Sequence, residues 1–173
     1  LVFLPLIIGV FRQIRNHYDA VGEQLWISAA EPPAPIAGNV FIVPVSGITH
    51  VVQNSINYAR SLHADQIIAV YVTFDREDET RFAEKWRERM PGVRLVTLYS
   101  PYRSIIHPLS KFIDMVHHKA SHSHYQITVV IPQFIPKKGW HNFLHNQTSL
   151  LLRTYLLYRK DVIVTTVPYH LKK

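Results

Sequence analysis

From Asn39 onward, short uninterrupted apolar runs alternate with stretches whose apolar positions recur every three or four residues. The runs VFIVPV (40–45), QIIAVYV (66–72), VRLVTLY (93–99), YQITVVI (125–131) and DVIVTTV (161–167) predict five strands. Such runs, without polar alternation, belong to strands covered on both faces. Between them, Val52, Ile56, Ala59 and Leu62 predict a helix over 49–62, and the i,i+4 pair Phe82 and Trp86 marks the apolar side of a charged helix over 78–89. Ile105, Leu109, Phe112 and Val116 predict a third helix; Leu144, Thr148, Leu151, Leu152 and Tyr155 predict a fourth. This alternation predicts a doubly wound α/β domain: a five-stranded parallel sheet with helices on both faces. The ligand crevice of such a sheet lies beyond the carboxyl ends of its strands, so the loops 45–49, 73–77, 99–103 and 132–142 hold the candidate chemistry.

Before residue 39 the pattern differs. LVFLPLIIGVF (1–11) is apolar and uncharged, and Arg12, Arg15 and His17 follow it at once. A membrane span needs about 20 apolar residues, and a secretory signal has its basic region ahead of the apolar one. Together with the missing initiator Met, the arginines after the run predict that residues 1–11 are the end of a last transmembrane helix, leaving the bilayer on the cytoplasmic side. Ile14, Tyr18, Val21 and Leu25 then predict an amphipathic connector, and SAAEPPAPIAG (28–38) reads as a proline-rich linker. The expected organisation is therefore a membrane stub (1–11), a connector and linker (12–38) and a folded domain (39–173).

Composition narrows the chemistry. The 173 residues include no cysteine, which excludes disulfides, thiolate metal sites and a thiol nucleophile. The net charge of +7 is unevenly spread: residues 1–89 hold 8 Lys+Arg and 10 Asp+Glu, residues 90–173 hold 11 and 2. A basic C-terminal half suits an anionic partner, or serves as a solubilising surface.

In the crevice loops, PVSGITH (44–50) places Ser46 and Gly47 before a helix, an arrangement that suits a phosphate or ribose and equally a plain capping turn. YSPYRS (99–104) sets Tyr102 beside Arg103, a stacking face with a cation or simply a Ser-Pro helix start. PQFIPKKGWHNFLHNQTS (132–149) gathers lysines, Trp140, histidines and amides in one loop and helix entry, the mixture a nucleotide site needs. HHKASHSH (117–124) reads as a solvated helix end. No G-x-S-x-G elbow or P-loop occurs, and the crevice loops lack paired carboxylates for acid–base work, so neither an enzyme nor a resident cofactor is expected; no RNA-binding signature occurs, so no nucleic-acid partner is expected.

The alternation over 39–168 resembles the universal stress protein fold, a Rossmann-like domain whose members often bind ATP. The chain departs from that family's G-x2-G-x9-G-[ST] signature, keeping only Gly139 there, and has Ser46 where an aspartate is usual. A resemblance covering nearly the whole chain is carried by NHYDAVGEQL, IVPVSGITHVVQ, NYARSL, VTFDRE, GVRLVTLYSPYRS, PQFIPKKGWHNFLHNQ and VPYHLKK. These segments resemble the C-terminal end of KimA-type potassium importers, proton-coupled symporters of the amino acid–polyamine–organocation superfamily. The resemblance implies a homodimeric transporter whose cytoplasmic domain follows the membrane domain of the same polypeptide and binds cyclic di-AMP, or another adenine nucleotide, to inhibit potassium uptake. It implies backbone contacts from Val45, Ser46 and Gly47, and an adenine flanked by Tyr71 and Val72. Arg103, Lys137 and Lys138 would meet phosphate; Trp140, His141 and His145 would stack or hydrogen-bond; Asn146 and Gln147 would cap a phosphate. A ligand-independent dimerisation module and an ATP- or ADP-binding stress-type domain are the alternative expectations.

Overall fold

A computed structural model describes residues 3–25, 35–102, 104–121, 123–135, 147–159 and 162–170. The chain divides into two compact units, Leu1–Ala34 and Pro35–Lys173. In the first, the apolar opening and the amphipathic stretch form one continuous helix, α1 (Phe3–Leu25). Pro5 does not interrupt it, because it lies in the first turn, where a backbone N–H has no intrahelical partner. Arg15 and Asp19 pair at i,i+4 with 3.8 Å between them. No helix among the described residues is long and apolar enough to cross a membrane.

The second unit is the expected α/β domain. Its elements are β1 (Gly38–Val45), α2 (His50–Ser61), β2 (Gln66–Thr73), α3 (Arg76–Arg89), β3 (Arg94–Tyr99), α4 (Ile106–Ser121), β4 (Tyr125–Ile135), α5 (Gln147–Leu157) and β5 (Val162–His170). The sheet is parallel throughout, in the order β3-β2-β1-β4-β5. Because successive strand residues face opposite sides, β1 sends Val40 and Ile42 to one core with Leu109, Phe112 and Ile113 of α4 and Leu152 and Leu156 of α5. It sends Phe41 and Val43 to the other, with Val52, Ile56 and Ala59 of α2 and Trp86 of α3. Each fully buried aliphatic side chain contributes on the order of 1.5–3 kcal/mol.

Local chemistry fixes the element ends. Thr49 caps α2 by accepting from the Val52 N–H at 3.4 Å, and Asp75 caps α3 by accepting from the Glu77 N–H at 3.0 Å. At the foot of β1, Asp65 accepts the Asn39 N–H at 2.6 Å. The His124 carbonyl accepts the Ala37 N–H at 2.9 Å, with His124 itself in a left-handed conformation (φ 56°). This histidine-rich turn therefore anchors the start of the first strand.

Two strands outrun their expected ends. β4 continues to Ile135 and β5 to His170, in register through Pro132↔Val167 and Pro168↔Gln133. Proline is tolerated where one side of a strand is unpaired. β5 is an edge strand, and β4 has no β1 partner beyond Val129.

Candidate functional site

The strand order reverses between β1 and β4, and there the sheet opens. The β1–β4 ladder runs from Gly38↔Tyr125 only to Ile42↔Val129. On the flanks, β1–β2 pairing persists to Val45↔Tyr71 and β4–β5 pairing to Ile135↔His170. Pro44 and Pro132, each lacking the N–H that a continuing ladder needs, sit just past the parting point. The separated carboxyl ends bound a cleft of about 1150 Å³, above the roughly 300–1,000 Å³ of common small-molecule pockets.

One wall comes from the end of β1 and the start of α2: Val45, Ser46, Thr49, His50, Val51 and Val52. The N–H groups of a helix's first turn have no intrahelical acceptors and carry the positive end of its dipole, so this wall suits an anion. Val45 is buried and Ser46 exposed. Gly47 shares their turn, and a Cβ there would meet only Thr49 Cγ2 at 3.7 Å. The fold therefore does not require glycine at 47, and space beside its backbone stays open.

A second wall comes from β2 and the entry to α3, with Tyr71, Val72, Phe74, Asp75 and Asp78. Tyr71 stacks on Phe82 with ring centroids 3.8 Å apart and planes inclined by 11°. Phe82 continues to Trp86 at 5.9 Å, and the Trp86 indole donates to the Val93 carbonyl at 3.0 Å. The column seats Tyr71 rigidly, with one face already occupied. Burial, then the charge of Asp78, holds the Tyr71 phenol above the usual tyrosine range. Both carboxylates are engaged: Asp75 caps α3 and Asp78 pairs with Arg81 at 2.5 Å.

The remaining lining includes Pro101, Ile105 and Leu109 after β3, Ile131, Pro132 and Phe134 of β4, Leu152 of α5 and Tyr169 of β5. The structure thus brings Val45, Ser46, Gly47, Tyr71 and Val72 to one place. Arg103, Lys137, Lys138, Trp140, His141, His145 and Asn146 lie outside the described residues. Gln147 is described only as the first residue of α5. Among the described lining residues the fixed charges are the two carboxylates, so cations for an anionic ligand would have to come from elsewhere.

Sequence reasoning did not single out Asp75, Phe134 or Tyr169 as lining residues. Asp75 lies in the loop after β2, where the crevice rule points. Phe134 lies in the segment 132–142, expected as a loop, whose first residues instead continue β4, and Tyr169 lies past Pro168 on the extended β5.

The profile of the KimA potassium transporter C-terminal domain matches residues 37–169. The potassium transporter KimA of Bacillus subtilis (strain 168) is 54% identical over all 173 residues of this chain, which spans 28% of that relative's length. With a profile reaching all five strands and an identity of this level from end to end, the chain belongs to the KimA potassium transporter C-terminal domain family.

Proposed function

We propose that this chain is the regulatory part of a proton-coupled potassium importer and that its cleft binds cyclic di-AMP, inhibiting potassium uptake. The observation that carries this reading is the opening between β1 and β4, whose walls gather Val45, Ser46, Tyr71 and Val72. Its volume leaves room for a ligand with two bases. Because Asp75 and Asp78 line the α3 side, the phosphates lie away from that wall, toward the start of α2. Val45, Ser46 and Gly47 offer backbone contacts there, and Tyr71 and Val72 flank an adenine. Arg103, Lys137 and Lys138 supply phosphate-binding charge, Trp140, His141 and His145 stack or hydrogen-bond, and Asn146 and Gln147 cap a phosphate. In this reading the domain has a universal stress protein-like fold and acts without catalysis. It sits on the cytoplasmic face of a homodimeric membrane protein, with residues 1–11 ending the last transmembrane helix. Inhibition requires that the ligand bind the inhibited arrangement of the transporter more tightly than the active one.

Calorimetry of this chain with cyclic di-AMP, ATP and AMP tests the proposal. The expected result is saturable heat with cyclic di-AMP and a weaker response to the mononucleotides. Silence with cyclic di-AMP at roughly 1 mM, where a site of about −4 kcal/mol would be half filled, overturns it.

A second reading, a ligand-independent dimerisation module, is favoured by Leu150, Leu151, Leu157 and Tyr158 on and just after α5 and Ile163 on the edge strand, all exposed. It predicts self-association that nucleotides leave unchanged.

A further inference from the structure

The loop between β3 and α4 is fastened from beneath. The Ser100 N–H donates to the Thr73 carbonyl at 2.9 Å, tying the loop to the end of β2. The Ser100 hydroxyl, on a buried residue, donates to the Ser104 carbonyl at 2.7 Å and so closes a turn across the loop's base. Pro101 and Ile105, on either side of this turn, line the cleft. Between them stands Tyr102, 91% exposed.

A tyrosine this exposed gains almost nothing from packing, and the Ser100 bracket would hold the turn with any residue at 102. The position differs from that of a scattered surface aromatic in two respects. Its backbone is pinned at the rim of a large cleft, and the interior of that cleft is already aromatic, with Tyr71, Phe74, Phe134 and Tyr169 among the lining residues. A flat, rigid side chain with two rotatable bonds is an economical stacking platform.

We infer that Tyr102 is a base-stacking residue of this cleft, its ring packing over the heteroaromatic base of a bound nucleotide at the mouth. The inference rests on the nucleotide reading of the cleft and adds a specific residue to it. The contact uses the face of the ring, so the phenol hydroxyl is dispensable. Stacking of a base on an aromatic side chain is worth roughly tenfold or more in affinity.

The test is titration of the 173-residue chain and its Tyr102→Ala, Tyr102→Phe and Tyr102→Trp variants with cyclic di-AMP, with a thermal melt of each. Expected are about tenfold weaker binding by Tyr102→Ala at an unchanged melting temperature, and affinity within about twofold of the parent for Tyr102→Phe. Tyr102→Trp should bind like the parent and show a ligand-induced change in indole fluorescence beyond that of the parent's own tryptophans. Parent-like binding by Tyr102→Ala overturns this inference and leaves the cleft reading standing. Equal loss in Tyr102→Phe and Tyr102→Ala overturns the stacking role in favour of the hydroxyl. Absence of binding by the parent overturns the nucleotide reading itself, and this inference with it.

Discussion

Arg159 forks onto Asp114: Nη1 lies 2.5 Å from Oδ1 and Nη2 lies 3.0 Å from Oδ2, joining residues 45 apart in sequence. The same guanidinium donates to the Tyr155 hydroxyl at 2.5 Å. The contacts tie the C-terminal end of α5 to the middle of α4 on one face of the sheet. Because the side chains remain 35% and 46% exposed, solvent screens the pair. Arg159→Gln or Asp114→Asn should lower unfolding stability by about 0.5–1 kcal/mol, read by denaturant titration.

Two tyrosines should titrate on opposite sides of the ordinary value of 10.0. Hydrogen bonds from Ser110 and Arg159 hold Tyr155 below it, whereas burial and then Asp78 hold Tyr71 above it. Ultraviolet tyrosinate titration should lose its late component in Tyr71→Phe and its early one in Tyr155→Phe. The stability consequences have opposite signs. The Tyr71 contribution is complete below pH 10.0 and disappears as pH rises through its raised folded value. That of Tyr155 is present above pH 10.0 and is lost as pH falls through its lowered folded value.

Two glycines should respond differently to alanine. At Gly38 a Cβ would collide with Asp65 Oδ2 and with the Tyr125 ring, where Asp65 already accepts the Asn39 N–H. Gly38→Ala should cost about 1–3 kcal/mol, measured by denaturant unfolding. Gly47→Ala, with open space at the cleft, should shift stability by no more than about 0.5 kcal/mol yet weaken cyclic di-AMP binding in calorimetry.

The double change Lys137→Ala, Lys138→Ala should weaken dinucleotide binding and reduce its salt dependence without lowering the melting temperature. Unchanged affinity would move the phosphate contacts away from this pair.

The order and type of the domain's elements were readable because its inner strands are buried on both faces, leaving VFIVPV and QIIAVYV as unbroken apolar runs. Less readable were the places where tertiary pairing overrode local chemistry. Pro132 and Pro168 argue against strand, yet each lies where a strand has one unpaired side. Residues 1–11 and 12–27 look like separate elements by composition, but nothing between them breaks a helix, so α1 is continuous. The crevice rule pointed to the loop holding Val45, Ser46 and Gly47, which lines the opening beside the switch point with Tyr71 and Val72 at the end of β2. Asp75 and Asp78 stand at the start of α3, and their role as cleft wall depends on how α3 returns over the sheet.

The early end of the β1–β4 ladder also makes the sheet a pair of plates, one of β3, β2 and β1 and the other of β4 and β5, whose backbone hydrogen bonds to each other run along only their lower seam. A molecule spanning the gap would act as an upper stitch, resisting any rotation of one plate against the other. A small ligand could in this way stiffen the domain as a mechanical unit without moving a single helix.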